Sequence, residues 1–392
     1  MLTPQQEQVV AATAPVVAEH LDTITARFYP LMFDRYPEVK ALFNAAHQAS
    51  GGQPRALAAS VLHYVQLRGD REQAKASLAL VVDKHVSLNI RPDHYPIVGE
   101  CLMAAIGEVL GEAVTAEVAD AWQAVYEELA GLLIELEAAR YEQFAALPGG
   151  WRGTRAFHVA ETRRESAEIR SFVLAPDDGQ PVADFAPGQF IGVKLMIDGE
   201  PVFRHYSLSA APNGRTYRLS IKREPGGRVS EHFHARMSEG SRLELLPPAG
   251  ELTLAEDASP VVLLSAGVGQ TPMLSLADQA LAAGRQVTYV HAARNADVHA
   301  FGDEVAALAE RYPQQLRSVV CYEEADGDTQ PDHHGRIDRE LLATLLPASE
   351  PLCYLVGPQG FMRCVDAELE ALGVPAERRR FEHFGPSRPL HA

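Results

Sequence analysis

Apolar residues recur at helical spacing through the first 145 residues, and short β-prone segments dominate the remainder of the chain. Val114, Val118, Trp122, Val125, Leu129, Leu132 and Leu136 step by threes and fours and predict one long amphipathic helix. Tyr95, Val98, Leu102, Ala105 and Val109 predict another. Leu78, Val82 and His85 share one face of a third, expected to end before Pro92. Gln53-Pro54 opens a fourth, with proline at the first helical position, where its missing N–H costs nothing. The first region therefore reads as all-α.

Leu147-Pro-Gly-Gly150 separates two regimes and reads as a linker. Beyond it, Ile169–Leu174, Gln189–Ile197, Tyr217–Lys222 and Arg242–Leu246 are short β-prone runs divided by turn residues, the pattern of an antiparallel barrel. From Pro260 strands and helices alternate. Strands are expected at Val261–Leu264, Gln286–His291, Arg317–Tyr322 and Leu352–Val356, and helices at Pro272–Ala283, Asp303–Tyr312, Asp338–Leu346 and Phe361–Leu372. Such alternation implies a parallel sheet covered on both faces. The expected multidomain order is an all-α domain over 1–145, a linker over 146–151, an antiparallel β-barrel over 152–257 and an α/β parallel-sheet domain over 258–392.

Composition narrows the function classes. The 392 residues exceed a single core, and 46% hydrophobic with 22% charged content fits a globular protein. The longest apolar runs, Pro260–Leu264 and Leu352–Val356, fall far short of a membrane span, and MLTPQQEQVVAATAP lacks a signal-peptide pattern. A cytoplasmic protein without stable membrane association is expected. The net charge of −17 argues against nucleic-acid binding, so any anionic cofactor must be held by local features. Cys101, Cys321, Cys353 and Cys364 contain no CxxC and read as buried free thiols. The His232/His234 and His333/His334 pairs read as solvated or capping residues.

The string Ser265-Ala-Gly267-Val268-Gly269-Gln270-Thr271-Pro272-Met273 joins a buried strand to a helix. Its glycines let the backbone approach a pyrophosphate, and the helix N-terminus offers free N–H groups and a positive dipole end. Pro272 stands where the usual fingerprint has its third glycine. This string resembles the pyridine-nucleotide motif of the ferredoxin–NADP reductase family, and three more strings keep that family's order. Arg204-His205-Tyr206-Ser207, after Pro187-Gly188-Gln189-Phe190, is similar to its RxYS flavin motif. The resemblance implies that Arg204 pairs with the FAD pyrophosphate, Tyr206 lies along the isoalloxazine and Ser207 bonds near N5. Gly226-Gly227-Arg228-Val229-Ser230 leads into a short helix whose N-terminus would take FAD phosphate charge, and Gly357-Pro358 would flank the nicotinamide. Glu382-His383-Phe384-Gly385-Pro386 resembles the family ending, with His383 in place of the usual cysteine and Phe384 expected over the flavin. Phe190 stands where flavohemoglobins usually have tyrosine.

The first 145 residues resemble the globin domain of flavohemoglobins. Lys84-His85 lies on a helix with an apolar inner face, and a histidine so placed suits the proximal position on haem iron. Tyr29 matches the family's distal tyrosine, Phe43 the aromatic against the haem, and Gln53 with Leu57 its distal pair. Tyr95 sits on an apolar stripe, and Glu137 lies at the edge of another, whereas Glu135 points further toward solvent. His85, Tyr95 and Glu137 then look like the family's proximal triad, in which a carboxylate accepting the imidazole N–H makes the ligand more electron-donating. Lys84 either tunes the haem or faces water.

The resemblance implies haem b, FAD and either NADH or NADPH. It also implies a relay in which a hydride reaches the flavin, electrons pass singly to haem, and nitric oxide is oxidised to nitrate with oxygen. NAD(P)H-driven reduction of hydroperoxides or soluble acceptors is the alternative, and an oxygen or gas sensor the remote one. A monomer acting on O2, NO and NAD(P)H is expected, with lipid in the distal pocket left open. Arg294 occupies the end of the strand that should read the adenosine ribose. An acid there favours NADH and an arginine accommodates a 2′-phosphate, so both nucleotides stay open.

Overall fold

The structure is a computed structural model that describes residues 2–42, 52–324 and 330–384, with the side chains of residues 41 and 52–59 outside the description. It divides into two compact units, one built from Met1–Ala146 with Asp198–Phe203, the other from Leu147–Ile197 and Arg204–Phe384.

The first unit is helical: α1 Pro4–Glu19, α2 Leu21–Arg35, α3 Gly52–Leu67, α4 Arg71–Val86, α5 His94–Leu110 and α6 Ala116–Ala145. Thr3 and Gln6 form a reciprocal capping box on α1, Asp70 caps α4 and Thr115 caps α6, each giving oxygen to an N–H that the helix leaves unpaired. Val114 therefore precedes the long helix instead of opening it, because Thr115 supplies the start. Helix α3 begins at Gly52, so Pro54 is its third residue; the first turn has no inner carbonyl to receive those N–H groups, and proline is tolerated there. Phe28 and Met32 of α2, Leu78 and Val82 of α4, Leu102 and Ile106 of α5 and Trp122, Val125 and Leu129 of α6 join in one core. No described helix is long and apolar enough to cross a membrane.

Two sheets follow, their residues in the second unit except for Glu200–Phe203 of the antiparallel one. The antiparallel one contains β1 Arg155–Arg164, β2 Ile169–Pro176, β3 Phe190–Ile197, β4 Glu200–Ser207, β5 Tyr217–Lys222 and β6 Arg242–Ala249, in the order β4-β3-β6-β1-β2-β5. A bridge between Leu208 and Leu219 links the two end strands. Helix α7, Arg228–Arg236, connects β5 to β6. Strand β1 escapes a pattern reading because only Phe157 and Val159 of its ten residues are buried, amid charged neighbours. The Pro-Gly-Gly stretch is docked on this barrel: Gly149 O accepts from Ala183 N at 3.1 Å and from Arg155 Nη1 at 3.2 Å.

The parallel sheet runs β10-β9-β8-β7-β11-β12, from β7 Val261–Ala266, β8 Val287–Ala293, β9 Leu316–Tyr322, β10 His333–His334, β11 Leu352–Val356 and β12 Arg379–Phe381. Helices α8 Gln270–Ala282, α9 Gly302–Arg311, α10 Arg339–Leu345 and α11 Gln359–Ala371 supply its covering layers. Alternate residues of β7 enter two different cores, Val261 and Leu263 one, Val262 and Leu264 the other, which is why the strand is apolar throughout. The chain leaves β7 toward β8 and returns beside it at β11, so a crevice opens at the carboxyl end of β7. Strands β10 and β12 had no sequence signal, being two and three residues long. Helix α8 begins at Gln270, after a tight turn over Gly267–Gly269, two residues ahead of the start that Pro272 suggested. Cys101, Cys321 and Cys353 are buried, and burial pushes the last two thiols up to about 12; Cys364 is exposed, contrary to expectation, on the outer face of α11.

Barrel and parallel sheet meet within this unit through directed polar contacts. Gly188 N donates to Ser275 Oγ at 3.1 Å, Ala167 N to Asp297 O at 2.9 Å, and the Arg218 guanidinium makes two bonds to Glu304 at 2.8 and 2.9 Å. Behind this junction His291 is fully buried, with Nδ1 2.9 Å from Ser265 Oγ, and its ring stacks on His299 at 5.1 Å. His299 Nδ1 lies 2.9 Å from the Tyr322 hydroxyl. Burial holds both imidazoles below their ordinary value, His291 furthest, with His299 adding to the effect. The folded unit thus refuses protons that the unfolded chain accepts below about pH 6.5. Its stability is complete above that pH and falls as the medium acidifies. Calorimetric unfolding between about pH 7.5 and about pH 5 should show the second unit losing stability on the acid side, less so in His299→Gln; equal slopes for the two proteins would contradict this origin.

Candidate functional site

In the helical unit the sequence-predicted proximal residues come together. His85 Nδ1 stands 2.7 Å from Glu137 Oε1 and 3.1 Å from the Tyr95 hydroxyl, and Tyr95 donates to the same Glu137 oxygen at 2.5 Å. Burial first, then the adjacent carboxylate, pushes the Tyr95 phenol far above its ordinary range, so it remains a donor. With both Glu137 contacts on an accepting oxygen, the Nδ1 proton points at Glu137 and leaves Nε2 with its lone pair, for which no hydrogen-bond partner exists among the described residues. Glu137 is 2% exposed, whereas Glu135 faces solvent and pairs with Arg71 at 2.6 Å.

Helix packing fixes this geometry. A Cβ at Gly99 would lie 2.5 Å from the Tyr126 ring, so glycine lets α5 and α6 approach, and Tyr126 Oη donates to Tyr95 O at 2.7 Å. Arg140, one turn beyond Glu137, donates to the buried Asp83 carboxylate at 2.9 Å and ties α6 to α4 a second time. Tyr29 is 4% exposed in the same core, edge-on to Phe28 at 4.7 Å and tilted against Phe33 at 5.9 Å; burial raises its pKa well beyond the ordinary value. Lys84 is half-buried beside His85. Phe43 lies outside the described residues; Gln53 and Leu57 lie on α3, their side chains outside the description. An imidazole with an available Nε2 and an anchored Nδ1–H fits haem iron as an axial ligand.

In the barrel, Arg204, His205, Tyr206 and Ser207 end β4. The Tyr206 ring packs edge-on against Phe233 at 5.6 Å, and burial pushes its phenol up. Ser207 Oγ is buried without a hydrogen-bond partner among the described residues, an arrangement that a ligand acceptor or donor would satisfy. Phe190 lies 5.0 Å from the His205 ring and is packed so closely on Gly250 that a Cβ there would sit 2.9 Å from it. Helix α7 starts after Gly227 with no side-chain cap, leaving the N–H groups around Val229 and Ser230 for an anion. A Cβ on Gly227 would meet Ser230 Oγ at 2.5 Å. His383 stacks edge-on with Phe381 at 5.5 Å, Phe384 is 48% exposed, and Gly385 and Pro386 lie outside the described residues. The orphaned serine, the open helix end and the exposed aromatic suit a flavin with its phosphates.

At the carboxyl end of β7, Gly267 adopts φ +54° and Val268 O accepts from Thr271 Oγ at 2.9 Å. A Cβ at Gly269 would lie 2.1 Å from Val356 O, and one at Gly357 would lie 2.7 Å from Phe361. The two glycine turns, the second running into Pro358 as the N-cap of α11, therefore close on each other as bare backbone, and α8 likewise starts without a side-chain cap. Gln270 is wholly buried, and its amide has no hydrogen-bond partner of ordinary geometry among the described residues. Arg294 is exposed and paired with Glu168 of the barrel, a partner the sequence did not reveal because 126 residues separate the two.

A helical unit with an anchored imidazole, joined in one chain to a flavin-type barrel and a nucleotide-type parallel sheet, defines a haem protein fused to its own reductase. Residues 26–133 match the globin family, 156–254 the oxidoreductase FAD-binding domain family and 263–367 the oxidoreductase NAD-binding domain family. The flavohemoprotein of Pseudomonas aeruginosa is 48% identical over all of both chains. The flavohemoglobin crystal structure from Malassezia yamatoensis, with bound FAD and heme, superposes with a TM-score of 0.86 at 28% identity, over 98% of this chain and all of that one. The FAD/NAD-binding domain of nitric oxide dioxygenase from Vibrio cholerae matches 59% of this chain and 99% of its own at 39% identity and a TM-score of 0.55. The chain belongs to the flavohemoprotein family.

Two substitutions test these arrangements. Glu137→Leu leaves the Tyr95 O–H and the His85 Nδ1–H without an acceptor, a loss of about 1–3 kcal/mol for each orphaned donor, and calorimetric unfolding of the helical unit should register it; an unchanged midpoint would contradict it. Gly269→Ala forces its methyl against Val356 O, and NADH affinity measured by titration should weaken at least about tenfold, about 1.4 kcal/mol, while flavin content stays at the parent level.

Proposed function

We propose that this flavohemoprotein is a nitric oxide dioxygenase, in which two NO, two O2 and one NAD(P)H give two nitrates, NAD(P)+ and a proton. The observation that carries the reading is the His85–Glu137–Tyr95 arrangement, in a chain whose flavin and nucleotide modules resemble those of a named nitric oxide dioxygenase. When bound, haem b supplies oxygen binding and one-electron chemistry, and FAD accepts a hydride and releases electrons one at a time.

The chain's own residues have distinct tasks in this proposal. His85 Nε2 would hold the iron, and Glu137, by accepting the Nδ1–H, strengthens the imidazole as a donor. Tyr95 keeps the carboxylate oriented through its own hydrogen bond. Tyr29, kept protonated by burial, would offer its O–H to the haem pocket, and Phe43, Gln53, Leu57 and Lys84 would complete that pocket. Arg204 and the N-terminus of α7 at Gly227, Val229 and Ser230 would take the FAD phosphates. Phe190, His205, Tyr206, Ser207, His383, Phe384, Gly385 and Pro386 would border the flavin. Gly267, Val268, Gly269, Gln270, Thr271, Pro272, Gly357 and Pro358 would form the nicotinamide-nucleotide crevice, with Arg294 at the ribose end. Domain limits of 1–145, 152–257 and 258–392 accompany this assignment, supported by the division of the chain near Ala146. A monomeric enzyme of the cytoplasm completes the proposal.

Stopped-flow mixing of the oxygenated ferrous protein with NO is the direct test. Nitrate and ferric haem should form in equal amounts, and NADH should then be consumed at half the rate of NO. Slow conversion, or nitrite as the product, would reject the reading.

A further inference from the structure

Arg294 directly follows β8, and the side chain after the second strand of such a sheet faces the adenosine ribose. By charge alone an arginine there invites a 2′-phosphate. Its guanidinium is already engaged, however, by the Glu168 carboxylate, which reaches across from the turn between β1 and β2. That turn is firmly placed. Ser166 Oγ accepts from Glu168 N at 3.2 Å and Ile169 N at 3.1 Å, and Glu168 O accepts from Arg223 N at 2.7 Å. Ala167 N donates to Asp297 O at 2.9 Å, so the turn is fastened by main chain to the very loop that carries Arg294. Lys222 Nζ lies 3.5 Å from the other Glu168 oxygen and holds the carboxylate from behind. On the opposite side Glu324 N donates to Arg294 O at 2.8 Å and the Glu324 carboxylate accepts from Asn295 Nδ2 at 3.2 Å, which sets a second acid beside the same loop.

We infer that Glu168 is the nucleotide-specificity residue of this protein: it occupies Arg294, so that the crevice favours NADH and disfavours the 2′-phosphate of NADPH. The inference rests on the reading of the β7–β8 crevice as the nicotinamide-nucleotide site. A phosphate and the Glu168 carboxylate compete for one planar guanidinium, whose Nη2 the carboxylate already holds. NADPH gains the full guanidinium only by displacing Glu168 from Nη2 and brings its charge close to two carboxylates, whereas NADH leaves the pair intact. Arg294 is 58% and Glu168 30% exposed at the side chain, so solvent screens the competition and the effect is graded.

The experiment is anaerobic stopped-flow reduction of the bound flavin in the full-length holoprotein by NADH and by NADPH. It compares the parent with E168Q, R294Q and the double variant E168Q/R294Q. The parent should prefer NADH. E168Q should raise the NADPH-to-NADH ratio of limiting reduction rate over Kd on the order of fivefold, the scale of one half-exposed ion pair, through a lower Kd for NADPH at an unchanged limiting rate. Adding R294Q should cancel the gain. Flavin content and thermal midpoint at the parent level establish that the isosteric E168Q is folded. A ratio unmoved by E168Q while NADH still reduces the flavin, or a gain that survives in the double variant, would overturn the role of Glu168 alone. Failure of both nucleotides to reduce the flavin in the parent would overturn it together with the reading of the crevice.

Discussion

A single carboxylate organises the helical unit. Glu137 is almost completely removed from water, and an isolated charge in that setting is prohibitively costly unless donors surround it. The Tyr95 hydroxyl and the His85 Nδ1–H supply them. Because both donors converge on one oxygen, the ring is fixed in rotation and in tautomer, and its second nitrogen is left for a metal. Gly99, which admits the Tyr126 ring, and the Asp83–Arg140 pair hold the three contributing helices at the separation this convergence needs. Fold and chemistry are not separable here, since the helices pack around the hydrogen bonds that orient the imidazole.

The second unit solves the opposite problem, holding anionic cofactors in a chain with net charge −17. Its means are backbone and helix ends more than side-chain charge. Gly269 and Gly357 bring two turns so close that neither tolerates a side chain, and α7 and α8 begin without side-chain caps. Cations near the crevice are paired: Arg218 with Glu304, Arg294 and Lys222 with Glu168. On the proposed reading, charge at this junction would tune selectivity, while free N–H groups and Arg204 would supply the binding.

Much of this was legible in sequence. Helical periodicity placed α4, α5 and α6, set Tyr95 on the apolar stripe of α5 and Glu137 at the edge of that of α6, and the family resemblance joined both to His85. Glycine motifs at strand ends located both turns of the crevice. The edges were less visible. Strands β10 and β12 are too short to carry a period, β1 buries too few residues to announce itself, and helix starts shifted where a cap such as Thr115 outweighed the apolar pattern.

The sequence by itself determined which segments bury which faces, because burial periodicity is a local property of side chains read three, four or two apart. Only the tertiary structure decided that Glu137 would meet His85 across 52 residues, that Arg294 would be answered by Glu168 across 126, and that His291 would stack on His299 behind a domain junction. The physical reason is that hydrogen bonds and ion pairs depend on distances of about 3 Å, which packing sets between segments remote in the chain and which no local pattern encodes.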